Sequence, residues 1–362
     1  MGWLATHETS TLRLEAATIC QLACPSCPTT QGVVKRQLGA GFLGFDDFRR
    51  IVDENPWVSE IELSNWGEIF LNPEIERIVA YAYRHSVALT AWNGANLNHV
   101  RENVLEDLAR YRFRGLTCSI DGVSQATYET YRRKGQVDRV LDNIRRLNAY
   151  KRRWKTRYPK LRWQMIAFRH NEHEIPAARA LADELGMSFV LKTSWDPELS
   201  PGGQAAPEPA PLAPELPAAP ATAAAAPPDN PDHQMSDEVC SQLWGQPQIN
   251  FDGTLLGCCV NTWASFGENA FAVGVARALA AEKLGYAKEM LQGKVPPRDD
   301  VPCTTCQTYL WRAREARWLR PPPAQPGVMG FLRRRGMGRA VVWVDNRFGR
   351  YLLPIRSALR QR

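Results

Sequence analysis

From Leu12 to about Ser194 the chain repeats one pattern, a short run rich in β-forming residues followed by an amphipathic stretch of helical period. The strand candidates are Leu12–Thr18, Ser59–Ser64, Ala88–Trp92, Leu116–Ile120, Trp163–Phe168 and Ser188–Lys192. Helices are expected over Asp46–Glu54, Glu74–His85, Val104–Tyr111, Val137–Trp154 and Ile175–Leu185, with Gly186 as a C-terminal stop. Strands that alternate with helices imply a parallel sheet, either open and doubly wound or closed into an incomplete barrel. Periodicity does not choose between the two.

The alternation defines a first domain over residues 1–195. After it, Asp196 to Gln234 is dominated by Pro and Ala and has few large apolar residues, so residues 196–235 are expected to be a disordered linker. Order is expected to resume near Cys240, giving a small cysteine-rich domain over 236–318 and a basic extension over 319–362. In that extension the apolar run Ala340 to Val344 suggests one strand, and the end suggests one helix. The formal charge of +7 lies mostly after Arg320, where Asp345 is the only acid; the rest is near neutral. Such a tail suits an acidic partner or an anionic membrane surface, with a solvated end as the alternative. Uninterrupted apolar runs long enough to span a bilayer are absent, and Met1 to Ser10 lacks the regions of a signal peptide, so a cytoplasmic location is expected.

Nine cysteines without a signal peptide, tightly clustered and odd in number, point to metal ligation in a reducing compartment. The strongest cluster is Cys20-Gln-Leu-Ala-Cys24-Pro-Ser-Cys27, directly after the first strand candidate. Three thiolates in so short a loop can hold one face of a cubane cluster and leave one iron without a protein ligand. Structural zinc is the competing assignment, but it takes four protein ligands, and no fourth Cys or His stands nearby before His85.

This spacing resembles that of the radical S-adenosylmethionine enzyme superfamily, where it stands at the end of the first barrel strand. Further motifs extend the resemblance. Asn65-Trp66-Gly67-Glu68 ends the second strand, as the family's Gly-Glu element does. Trp92-Asn93-Gly94 ends the third in place of Thr-Asn-Gly, and Ser119-Ile120-Asp121-Gly122 with Tyr131-Arg132 is similar to the fourth-strand motif. All fall at C-terminal strand ends, where parallel barrels assemble their sites.

The resemblance implies a 4Fe-4S cluster on Cys20, Cys24 and Cys27, whose open iron chelates S-adenosylmethionine. An electron from the cluster then yields a 5'-deoxyadenosyl radical that takes hydrogen from the substrate. It also implies cofactor-binding roles for Gly67, Glu68, Asn93, Ser119, Asp121 and Arg132. Glu68 suits the cofactor's ammonium, and Ser119 and Arg132 its carboxylate. Asn93 and Asp121 either face the ribose or cap the helices that follow. An electron donor such as flavodoxin or ferredoxin is implied as partner.

A second group comprises Cys240, Cys258, Cys303 and Cys306, with Cys259 adjacent. Phe251-Asp252-Gly253 reads as a hairpin turn that would set Cys240 and Cys258 on neighbouring antiparallel strands. Spacing alone leaves structural zinc open here. The layout resembles the single-cluster, or twitch, form of the SPASM auxiliary domain, as in enzymes like 2-deoxy-scyllo-inosamine dehydrogenase. That likeness implies a second, auxiliary 4Fe-4S cluster accepting an electron during substrate oxidation. The expected fold is thus α/β: a partial (β/α)6 TIM-like barrel, then a small cysteine-rich domain of twitch/SPASM type.

Cys118 reads as a buried strand residue outside the site. Trp244, Trp263, Trp311 and Trp318 read as packing, and His170 and His173 as loop surface unless one serves as a base. The expected function is a radical oxidoreductase acting on a small polar metabolite such as a sugar or cyclitol. A modifier of a peptide or protein is the alternative, although only about ten residues precede the first strand, leaving little room for a leader-binding module. A zinc protein that binds nucleic acid is the alternative from another class, supported only by the cysteine groups and the basic tail.

Overall fold

The computed structural model describes residues 9–194, 196, 199–201, 231–320 and 327–348. Eight strands form one sheet: β1 (Thr11–Leu14), β2 (Glu60–Glu62), β3 (Ala88–Ala95), β4 (Gly115–Ser119), β5 (Lys160–Ala167), β6 (Ser188–Thr193), β7 (Gln248–Ile249) and β8 (Leu255–Gly257). Their order is β6-β5-β4-β3-β2-β1-β7-β8. Neighbours from β6 to β7 are parallel, and only β8 runs antiparallel. A doubly wound sheet would reverse its order at a switch point. Here β1 to β6 advance in one direction, as in a barrel, and β6 does not pair with β1. The result is a partial barrel.

Strand alternation decides which face is which, since successive side chains point to opposite sides. Leu12 and Leu14 of β1, Ile61 of β2, Leu116 and Cys118 of β4, and Trp163 and Met165 of β5 join one core with the helices. The helices meet them with residues at helical spacing, such as Phe48, Ile51 and Val52, or Val140, Ile144 and Leu147. Their alternates on the strands are polar: Arg13, Glu60, Glu62, Thr117, Arg162 and Gln164. These line the inner side, the lumen of the barrel.

All six expected barrel strands and five expected helices are present, with two short helices, Val33–Leu38 and Gln125–Tyr131, added. The expected linker lies, over residues 202–230, outside the described residues. Two expectations are corrected. Cys240 is not on a strand opposite Cys258 but on the helix Pro231–Gly245, where Cys240 and Leu243 are one turn apart and both enter the core. The residues Ala340 to Val344 are helical, within residues 338–348, because Gly338, Val342 and Asp345 fall at helical spacing and face the barrel.

That last helix closes the N-terminal end of the strands. Asp345 accepts from Arg114 Nη1 at 2.5 Å, Arg157 Nη2 at 2.6 Å and the Tyr158 hydroxyl at 2.8 Å, all just ahead of β4 or β5. Arg339 donates to the carbonyls of Val52, Asn55 and Val58 at 2.5, 3.0 and 2.8 Å. It thereby adds a cationic donor at the carbonyl end of the helix Phe45–Glu54. Part of the segment expected to be a solvated end is packed structure.

Candidate functional site

The opposite end of the sheet carries the first cysteine group. Beyond β1 the chain passes so close to Gly67 that a Cβ there would collide with the Ala17 backbone, and Glu68 N–H bonds the Ile19 carbonyl at 2.9 Å. The Gly67-Glu68 turn is thus locked against the start of the cysteine loop. Leu22, Cys24, Tyr131 and Phe168, flanked by Cys20, Cys27, Ile166 and Leu199, make an apolar cluster separate from the main core. All nine cysteines are free thiols.

Burial is the main cause that pushes the Cys20 thiol up to about 12, with Glu68, Cys24 and Cys27 adding to it. Cys24 is raised by burial as well, while Arg132 beside it pulls the other way. Among the described residues no three His, Cys, Asp or Glu side chains converge on one point as ligands of a single ion would. In a cubane each thiolate takes a different iron, so the sulfurs need not share a point.

Around this loop stand the other expected residues. Glu68 is buried, and its two oxygens accept from Phe70 N–H at 3.2 Å and Asn96 N–H at 2.6 Å. Burial lifts its carboxyl to about 7 against those two bonds. Asp121, fully buried, accepts from Ile166 N–H at 2.7 Å and from Arg132 Nε at 2.6 Å. One oxygen thus holds the Ile166 backbone and the other holds Arg132, whose guanidinium lies near the Cys24 thiol. Ser119 is buried below Gly94, where φ is +130° and a Cβ would strike the Ser119 hydroxyl. Asn93 is exposed at the mouth and donates to Asn65 Oδ1 at 3.1 Å.

Several residues here escaped sequence reasoning. Glu62, buried in the lumen, accepts from Thr90 Oγ1 at 2.6 Å, Trp92 N–H at 2.9 Å, Asn93 N–H at 3.3 Å and Ser64 Oγ at 2.5 Å. It pins the irregular part of β3 that presents Trp92-Asn93-Gly94. Glu15 receives Trp66 N–H at 3.1 Å and Gly67 N–H at 3.5 Å, and burial raises it to about 8. Asn96 brings its amide to 3.7 Å from Cys20 Sγ. The alternation Arg13-Leu-Glu15 and Glu60-Ile-Glu62 was the available signal, since charge every second residue marks a polar inner face.

The second group forms beside β7 and β8. Cys258 follows β8, Cys303 sits in the turn Pro302–Thr305, and Cys306 starts the helix Gln307–Arg314. Burial raises the Cys303 thiol, and the Cys258, Cys306 and Cys240 thiols raise it further. Gly253 has φ +90° in the turn ahead of β8, where its N–H bonds the Asn250 carbonyl at 3.0 Å. Cys259 points elsewhere: its sulfur meets Gln242 Nε2 at 3.4 Å, and its carbonyl accepts from Asn65 at 3.0 Å. Cys118 is fully buried in the core. Trp244 and Trp318 also pack against that core, and Trp263 Nε1 bonds the Pro302 carbonyl at 3.1 Å. His170 stacks on Phe168 at 5.4 Å, and His173 lies exposed beside Glu174.

No family model and no curated relative matches the chain. Solved structures do match. SuiB from Streptococcus suis superposes with a TM-score of 0.54 at 13% identity, covering 76% of this chain and 66% of SuiB. In that pairing the chain spans just under two thirds of SuiB's length. SuiB bound to S-adenosylmethionine gives a TM-score of 0.53 at 11% identity, covering 83% and 69% of the two chains. SuiB bound to its precursor peptide SuiA gives 0.55 at 12% identity, covering 84% and 71%. The chain shares the fold of these structures.

Proposed function

We propose that the chain is a radical S-adenosylmethionine enzyme whose catalytic cluster is held by Cys20, Cys24 and Cys27. One observation carries this reading: three free thiols meet Glu68 and the Asp121–Arg132 pair at one mouth of a partial barrel. Support comes from the fold shared with SuiB, whose structure includes a complex with S-adenosylmethionine. The donor set fits the group, since three thiolates leave one iron of a cubane open. When bound, cluster and cofactor supply an electron and a 5'-deoxyadenosyl radical that takes hydrogen from the substrate.

The chain's own part is binding, orientation and exclusion of water. Burial keeps Cys20 protonated in the metal-free chain, so loading the site displaces protons. A carboxylate has about four lone-pair sites, so Glu68 keeps capacity for an ammonium beyond its two backbone donors. Arg132, aimed through Nε by Asp121, offers its remaining N–H groups to the cofactor's carboxylate beside Ser119. Asn93 and Gly67 complete the wall, while Asp121 is a positioning residue.

The finer reading is that Cys240, Cys258, Cys303 and Cys306 fully ligate an auxiliary 4Fe-4S cluster that accepts an electron, making the chain an oxidoreductase of a small polar metabolite. A peptide substrate is the second reading, favoured by the SuiB complex with its precursor peptide. A flavodoxin or ferredoxin is the proposed electron donor. The test is anaerobic reconstitution, metal and sulfide counting, and incubation with S-adenosylmethionine and a strong reductant. Replacing Cys20, Cys24 and Cys27 together by Ala is expected to abolish 5'-deoxyadenosine formation and leave about four irons per chain. Undiminished cofactor cleavage in that variant, or zinc in place of iron, overturns the reading.

A further inference from the structure

The end of the barrel remote from the cysteines is where exposed apolar surface collects. Among the described residues, five of the nine large apolar side chains left exposed lie between Phe331 and Phe348, and a sixth is Trp154. In the last helix, within residues 338–348, Gly338 abuts Ser59, Val342 is buried and Asp345 bonds the barrel. By helical spacing the opposite side presents Trp343, Val344, Arg347 and Phe348. Trp343, Val344 and Phe348 are 52%, 41% and 45% exposed, and the Trp343 and Phe348 rings meet edge to face at 6.0 Å. Scattered single apolar residues are ordinary on a protein surface, whereas an aromatic ridge of this kind marks a contact surface.

The rim beside the ridge is basic. Each barrel helix returns the chain to the start of the next strand, so its C-terminal turn lies at the end that the last helix closes. Ile75–Arg84, Glu102–Arg110 and Val137–Arg153 thereby bring Arg84, Arg110 and Arg152 to this end. All three are exposed, and among the described residues none has an ion pair. Contacts join them to the last helix: the Tyr83 and Tyr111 rings meet at 5.7 Å, Arg110 lies over the Trp154 ring at 5.3 Å, and Arg112 and Arg157 donate to Asp345 at 3.4 and 2.6 Å. The helices that end on acids, Phe45–Glu54 and Ile175–Glu184, lie on either side of this run. Asp345 itself is turned inward and spent on its barrel partners.

We propose that this end of the barrel docks on an anionic lipid surface, with the Trp343–Phe348 ridge in the headgroup layer and the arginines paired with lipid phosphates. An acidic polypeptide satisfies the arginines but leaves the ridge in water, and an apolar partner covers the ridge but leaves the arginines unpaired. An anionic bilayer supplies phosphates at its surface and acyl chains beneath, over an area wide enough for cations from three separate helices. Among the described residues no helix is long and apolar enough to cross a membrane, so the contact is peripheral. The cysteine mouth lies at the opposite end and stays open to solution, and the contact is independent of the chemistry there.

The test is co-sedimentation of the full chain with vesicles of phosphatidylcholine alone and of phosphatidylcholine mixed with phosphatidylglycerol. Binding to the mixed vesicles is expected, weakening as salt is raised, with little binding to phosphatidylcholine alone. Affinity is expected to fall about tenfold or more in the double variant Trp343→Ser, Phe348→Ser and in the triple variant Arg84→Gln, Arg110→Gln, Arg152→Gln, and to stay unchanged in Arg145→Gln. Thermal unfolding reads whether each variant folds, and Trp343→Ala or Arg110→Gln alone replaces a multiple variant that does not. No binding to the mixed vesicles, or equal binding by wild type and the folded variants, overturns the docking surface. Equal binding to soluble polyglutamate, unaffected by the Trp343 and Phe348 changes, gives the face to an acidic protein and overturns it too. A dimer that forms without lipid and is lost in the double variant assigns the ridge to a second copy, with the same consequence.

Discussion

The two cysteine groups are built from the same residue type and differ in what surrounds them. The group at the barrel mouth has three thiols in one loop, and beside the apolar Leu22, Tyr131 and Phe168 it has polar neighbours, Glu68, Asn96, Arg132 and Asp121. The group beside β8 has four thiols drawn from a helix, a strand end and a turn. Its thiols belong to or pack against the main apolar core, and the buried Arg312 stands near Cys240. Three thiolates from one short loop would leave a cubane one open iron, whereas four drawn from distant segments would saturate it. The proposed division of labour, reaction at the first and electron acceptance at the second, follows from that contrast.

The sharpest way to break the comparison is at Cys258 and Cys259. Cys258→Ala is expected to remove about four irons per chain while cofactor cleavage persists, and Cys259→Ala to remove none, as read by iron and sulfide analysis. Loss of iron with Cys259 and retention with Cys258 would reverse the assignment.

At the first site, Arg132→Gln leaves Asp121 charged, fully buried and without its ion-pair partner. A loss of about 3–5 kcal/mol in denaturant unfolding is expected, together with weaker S-adenosylmethionine binding. A loss under about 1 kcal/mol would show that the pair is not part of the packed site.

The far end of the barrel offers a contrast in kind. Asp345→Ala removes the acceptor shared by Arg114, Arg157 and Tyr158 and is expected to cost on the order of 2 kcal/mol. Iron content and cofactor cleavage should stay unchanged, because the last helix meets the strands at the end remote from the cysteines. Loss of iron would connect the two ends.

A further expected effect is one of pH. Glu15, ordinarily ionised above 4.5, is raised to about 8 by burial, so the folded chain holds a proton there that the unfolded chain has released. Stability on this account is highest below 4.5 and falls as pH rises through the interval to about 8. Glu15→Gln keeps a neutral side chain and is expected to flatten that fall, measured as unfolding midpoints between roughly pH 5 and 8. An unchanged slope would mean that Glu15 is ionised in the fold.

Much of this molecule is legible along the chain, because its determinants are local. The spacing Cys20, Cys24, Cys27 is a matter of one loop, and the strands and helices of the barrel announce themselves by period. Gly67, Glu68 and Asp121 follow strand ends for the same reason, Arg132 ends the short helix Gln125–Tyr131, and Asp121 pairs with Arg132. Tertiary structure alone decided the direction in which the strands are wound, because periodicity is identical in open and barrel sheets. It also decided that Cys240 rides a helix and that the last helix seals the barrel through Arg339 and Asp345. Those partners lie some hundreds of residues apart in the chain, as with Arg114 and Asp345, and no local pattern encodes a pairing over that distance. Above all it decided which charges in the lumen find a partner. Glu62 and Arg13 find theirs across strands, whereas among the described residues Arg162 and Lys192 have no ion pair or hydrogen bond on their side chains, and only the folded sheet shows the difference.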